Sequence, residues 1–257
     1  MKMNSNMFLV VLALAVSSWA TQAQESGATS TPPDRPVPGQ PGGRRGPPPW
    51  GGRDGSGPGA SSSLSSAPAG KSEAEKQVLA VLDDMEKNQR EGHAPNVQRE
   101  EGRLLRLLAE STGAKHVVEI GTANGYSTIW LCLGLQSTGG KLTTYEIDPQ
   151  LAAQARANFK QAGVDKIVTV VVGDAHVEAP KLKEPIDILF LDADKEGYVD
   201  YLEKLLPLVR RGGLVIAHDM NQRMADPRYL KAINSDPELE SVFLNTFWGL
   251  GVTLKKH

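Results

Sequence analysis

Across 257 residues the sequence contains a single cysteine, Cys132. That excludes a disulfide framework and a thiolate metal cluster. Cys132 lies in the apolar run "TIWLCLGL" and reads as a small buried side chain rather than a nucleophile. Neither sign of charge dominates: the formal net charge of −2 gives no sign of a nucleic-acid partner. Two phosphate-binding signatures are also missing. No G-x-G-x-x-G follows a strand, which argues against a dinucleotide site, and no G-K-[ST] follows the glycine turn, which excludes a P-loop.

The longest apolar run, Met7 to Val16, is too short for a comfortable membrane span. It follows Lys2 and precedes the small residues up to Ala20 and Ala23. Residues 1–23 therefore read as a secretory signal peptide, with no stable membrane span expected after its cleavage. A secreted or periplasmic protein follows from that reading, or a cytoplasmic one if the true start lies elsewhere. From Gln24 to Gly70 the chain is rich in Gly, Pro and Ser. Such a composition cannot bury enough apolar surface to fold and is expected to be a disordered linker. Residues 71–257 suffice for one domain.

Ser72 and Glu75 make a capping-box pattern ahead of a first helix, and a second is expected from about Val97 to Thr112, stopped by Gly113. Short apolar runs then alternate with helical stretches: "HVVEI", "KLTTYEI", "IVTVVV", "IDILFLD" and "GGLVIAH". This pattern predicts a doubly wound parallel α/β sheet covered on both faces. "SVFLNTF" and "GVTLKK", separated only by "WGL", add a terminal antiparallel hairpin. The fold expected is thus Rossmann-like, with a mostly parallel seven-stranded sheet and N-terminal accessory helices.

In such sheets ligands bind beyond the carboxyl ends of the strands. Every parallel strand ends near an acid here: Glu119, Glu146, Asp174, Asp192 with Asp194, and Asp219. Glu119 stands two residues before Gly121 in "VVEIGTANGYS", where a carboxylate would repel a pyrophosphate and favour a cationic group. Glu146 is placed to accept from ribose hydroxyls and Asp174 from an adenine amino group. Ser127 opens the next helix, within reach of a carboxylate on the ligand. Ribose, adenine and positive charge without phosphate describe S-adenosylmethionine.

The stretches "VVEIGTANGYST", "YEIDPQLAAQARANF", "GDA", "LFLDADKEGYVDYL" and "GGLVIAHD" resemble class I S-adenosylmethionine-dependent O-methyltransferases of the caffeoyl-CoA and catechol type. The most specific is "DADK-x-x-Y-x-x-Y", and the resemblance covers roughly residues 96–257. It implies methyl transfer to a hydroxyl of a small phenolic or catechol-like acceptor. It places Glu119, Gly121 and Ser127 at the methionine end, Glu146 at the ribose, and Asp174 and Ala175 at the adenine. Asn96 and Val97 would cover the cofactor, and Tyr201 would lie near its amino acid. Asp192 is implied as a metal-binding carboxylate and Lys195 as the general base. The family's second metal-binding pair is Asp-Asn, whereas this sequence reads His218-Asp219-Met220-Asn221. A weak magnesium or calcium site using Asp192, Asp219 and Asn221 is the expectation, with His218 the group that would suit a softer metal. Two other readings stand beside the enzyme: a non-catalytic adenosylmethionine-binding module, and a nicotinamide-dependent oxidoreductase domain. The two N-terminal helices offer a face for a homodimer.

Overall fold

The computed structural model describes residues 72–90 and 97–257. The signal peptide, the linker and Asn96 lie outside the described residues. Two helices open the described chain, α1 (Glu73–Arg90) and α2 (Arg99–Ser111). Ser72 Oγ accepts from the Glu75 amide at 3.1 Å, which realises the sequence cap. The Gln98 amide donates to Glu101 Oε2 at 2.7 Å at the start of α2.

The alternation follows: β1 (His116–Ile120), α3 (Tyr126–Thr138), β2 (Lys141–Glu146), α4 (Pro149–Ala162), β3 (Val168–Val172), α5 (Ala175–Glu178), β4 (Ile186–Leu191), α6 (Tyr198–Leu205) and β5 (Val209–His218). Then come α7 (Pro227–Ser235), β6 (Leu239–Leu244) and β7 (Leu250–Lys255). The seven strands form one sheet in the order β3-β2-β1-β4-β5-β7-β6. β1 to β5 run parallel; β7 is antiparallel to both β5 and β6. The expected hairpin is therefore present, with β7 inserted between β5 and β6.

Local chemistry explains the elements. Asp148 accepts from the Gln150 amide at 2.7 Å and Pro149 occupies the first helical turn, so α4 starts there; Gly163, at φ 70°, stops it. α3 is apolar on nearly all sides because it is sandwiched between the sheet and α2. β1 and β4 lie mid-sheet, covered on both faces, which is why they read as continuous apolar runs.

Alternate side chains on these strands feed two cores. One holds Val117, Ile188, Phe190 and Ile216 with Leu82, Leu105, Trp130 and Phe159 of α1 to α4. The other holds Val118, Leu189, Leu191 and Val215 with Tyr198, Leu202, Tyr229 and Ile233 of α6 and α7. Each such side chain contributes about 1.5–3 kcal/mol when fully buried. Two filled cores fix the sheet, and with it the positions of every loop at its carboxyl edge. Among the described residues no helix is long and apolar enough to cross a membrane.

Candidate active site

A cleft of about 460 Å³ opens at the carboxyl edge, lined by residues that follow β1 to β4. Its first wall is the turn after β1. Gly121 has φ 97°, and a Cβ there would sit 2.2 Å from the Asp192 carbonyl oxygen. Only glycine lets the β1 turn approach β4 this closely. The Gly121 amide donates to the Tyr145 carbonyl at 3.0 Å, tying the turn to β2 as well.

Glu146, at the end of β2, accepts from the Ala123 amide at 2.7 Å and the Asp148 amide at 2.9 Å. Its carboxylate is thus held fixed at the cleft wall, between the glycine turn and the start of α4. Asp174 and Ala175 line the opposite side; Asp174 caps α5 by accepting from the His176 amide at 2.8 Å. Tyr201 completes that wall. Its hydroxyl donates to Asp194 Oδ1 at 2.7 Å, and its ring stacks on His176 at 4.3 Å. His176 was not anticipated from sequence. It bonds Asp200 Nδ1-to-Oδ2 at 2.5 Å, and that carboxylate raises its pKa above the ordinary value.

Three expected cofactor residues do not line this cleft. Glu119 is wholly buried and accepts from Ser127 Oγ at 2.7 Å and from Thr128 Oγ1 at 2.5 Å. Burial pushes its pKa up to about 7 despite those bonds, so it is not the open carboxylate that the sequence suggested. Ser127 donates its hydroxyl to Glu119 and is not among the residues that line the cleft. Val97 is 2 % exposed and packs in the core with α1 to α3.

At the far end of the cleft the loops after β4 and β5 bring charged groups together. Lys195 Nζ lies 2.8 Å from Asp219 Oδ2 and 3.5 Å from Asp192 Oδ1. It also donates to the Ala193 carbonyl at 3.0 Å and the Tyr198 hydroxyl at 2.9 Å. Tyr198 is itself fixed by donating to the Leu191 carbonyl at 2.9 Å, so it seats the lysine. On the other side His218 Nδ1 lies 3.1 Å from Asp192 Oδ1 and 3.5 Å from Asp219 Oδ1. Its Nε2 meets Glu101 Oε2 of α2 at 3.0 Å. Burial disfavours a charge on His218, but the carboxylates of Asp192 and Glu101 outweigh it and raise its pKa to about 9. Glu101 was invisible in sequence because its partner is 117 positions away.

The expected metal set is altered. Asn221 does not join it: Oδ1 accepts from the Arg223 amide at 3.0 Å and the Met224 amide at 3.1 Å, closing a turn. Met220 is buried in the apolar core. The donors that converge are Asp192, His218 and Asp219, whose ligand atoms all lie within 4.8 Å of one another. Two carboxylates and one imidazole suit a divalent cation, though not with the neutral oxygen that sequence assigned.

The strand order is that of a Rossmann-like domain, with a cleft rimmed by acids and no phosphate loop at its carboxyl edge. Comparison with known proteins narrows this class. The chain belongs to the O-methyltransferase family, whose model matches residues 69–254. It is similar to the catechol O-methyltransferase of Niastella koreensis, with 36% identity over 151 residues, 57% of this chain and 66% of that protein. With that of Mycobacterium tuberculosis it shares 42% over 125 residues, 48% of this chain and 56% of that protein. The chain thus spans between about half and two thirds of the length of these relatives. Among solved structures, an O-methyltransferase from Bacillus cereus in complex with SAH superposes with a TM-score of 0.60 at 30% identity, covering 72% of this chain and 92% of that one.

Proposed function

We propose that the protein is an S-adenosylmethionine-dependent O-methyltransferase acting on a small phenolic or catechol-like hydroxyl. The observation that carries this reading is the cleft between Glu146 and the Asp174–Ala175 turn, which leads to the lysine and acids after β4 and β5. Glu146 accepts from the ribose hydroxyls, and the Asp174 turn faces the adenine. Gly121 admits the methionine end against backbone. Ser127 and Glu119 support that turn from below, and Val97 holds α2 in place. The relatives named as catechol O-methyltransferases support a vicinal hydroxyl acceptor.

Methyl transfer breaks the bond from the sulfonium sulfur to the methyl carbon, leaving the electron pair on sulfur as a neutral thioether. The acceptor oxygen forms the new bond and gives up its proton, for which the amine of Lys195, seated by Tyr198 and in its neutral form, is the base candidate. Asp192 and Asp219 position that amine. A divalent cation held by the same two carboxylates would supply charge that lowers the pKa of the acceptor hydroxyl.

Calorimetry with S-adenosylhomocysteine tests the cofactor assignment. Glu146→Ala should weaken binding by about 1–3 kcal/mol, the scale of lost charge-assisted hydrogen bonds. Unchanged affinity in a folded variant would remove Glu146 from the ribose. The N-terminal sequence adds the proposal that the enzyme works after export, which fractionation of the native host checks. A homodimer would form through α1 and α2, where Leu107 is 61 % exposed; light scattering decides it.

A further inference from the structure

We propose that Asp192, His218 and Asp219 form a site for a transition-metal dication of the manganese–cobalt–zinc class, with the buried imidazole as a direct ligand. The proposal rests on the methyltransferase reading and specifies the cation that would serve it.

No side-chain amide oxygen joins this cluster to add a hard neutral ligand. Met220 points into apolar core, and the Asn221 oxygen is already taken by two amides. A thioether is a poor ligand for magnesium or calcium. His218 stands where the missing ligand is wanted. Its Nδ1 is 3.1 Å from Asp192 Oδ1 and 3.5 Å from Asp219 Oδ1. Neighbouring ligands about 3.0–3.4 Å apart are what bonds near 2.1 Å give in octahedral or tetrahedral geometry.

Orientation agrees with spacing. The far nitrogen, Nε2, meets Glu101 Oε2 at 3.0 Å, and Glu101 is 1 % and His218 3 % exposed. When a cation displaces the proton shared between Nδ1 and Asp192, a carboxylate on Nε2 holds the other proton there, so the freed Nδ1 lone pair faces the two aspartates. Carboxylate–histidine–metal arrangements are built this way. Lys195 binds the other oxygen of Asp219, Oδ2, so Oδ1 stays turned toward His218. Charge closes as well. Asp192, Asp219 and Glu101 carry three negative charges, and Lys195 with a dication supplies three positive ones around a neutral imidazole. An imidazole nitrogen moves the preference from magnesium and calcium toward manganese, cobalt and zinc.

The test uses the full chain stripped with chelator, titrated calorimetrically with Co²⁺, Mg²⁺ and, separately, adenosylmethionine. A pulsed electron paramagnetic resonance measurement on the Mn²⁺-loaded protein looks for coupling to a ligand nitrogen. Expected are Co²⁺ binding at least about tenfold tighter than Mg²⁺, a histidine nitrogen coupling, and loss of both in His218→Asn. Should that variant fail to fold, the wild-type nitrogen coupling alone decides. Mn²⁺ bound without nitrogen coupling overturns the inference, as does unchanged Co²⁺ affinity in folded His218→Asn. Adenosylmethionine binding with no metal binding overturns this inference alone and leaves an imidazolium as the site's cation. No binding of either ligand overturns both this inference and the methyltransferase reading.

Discussion

Glu119 shows how a single buried carboxyl shapes the pH response. Its folded pKa is about 7 against an ordinary 4.5, with burial as the main cause. The folded state therefore holds a proton that the unfolded state has released between those values. Its contribution is fully present below about pH 4.5 and is lost as pH rises through 7. Glutamine keeps one acceptor oxygen for one of the two hydroxyls and offers the other an N–H to accept from, without the charge. Denaturant titrations should show Glu119→Gln gaining about 2–3 kcal/mol relative to wild type between pH 5 and pH 8. A constant difference across that range would mean that Glu119 is ionised in the folded protein. At this scale the acids at the ends of apolar runs, Glu146, Asp174 and Asp192, could be placed at the cleft from sequence, and they line it. The bond between Ser127 and Glu119 was hidden, because sequence shows that two polar groups are near a turn but not that they bond each other. Asn221 was misread for a similar reason. A turn beyond β5 consumes its oxygen, and a residue spacing alone does not reveal that.

Elements were more legible than side-chain roles. The period of the apolar runs located β1 to β5 within a few residues, and the short connection after β6 gave away the hairpin. α7 was not anticipated: only Tyr229 and Ile233 are buried along it, too few to announce a helix. The packing of α2 on α3 was equally hidden, although it positions Glu101. That contact depends on close approach: a Cβ at Gly134 would lie 2.7 Å from the Arg106 carbonyl oxygen and 2.8 Å from Ala109 Cβ. Backbone cannot step aside as a flexible side chain can. Gly134→Ala should therefore cost about 1–3 kcal/mol by forcing the helices apart, despite alanine's better helix propensity. Thermal unfolding checks the sign; an unchanged or raised Tm would show that α2 yields freely.

For the whole molecule, composition and structure divide the labour. The cores that fix the sheet draw on residues from Val78 onward. Deleting residues 24–70 should leave the Tm within about 2 °C, since that composition supplies little apolar surface to bury. A larger drop would mean that the segment packs on the domain. The fold itself was readable because it rests on a repeated alternation, which survives changes at any one residue. The chemistry rests on the segments after five strands, β1 to β5, meeting at one edge of the sheet, and no single stretch of sequence contains it. The measurement that bears most directly on the central claim is transfer of isotopically labelled methyl from S-adenosylmethionine to a catechol panel by the full chain. Labelled O-methyl ether together with S-adenosylhomocysteine in equal amount, reduced about 10²-fold or more in Lys195→Ala, is the expected result. Tight adenosylmethionine binding with no methyl ether from any catechol, with or without divalent cations, would contradict it and leave a binding module in the fold of an enzyme.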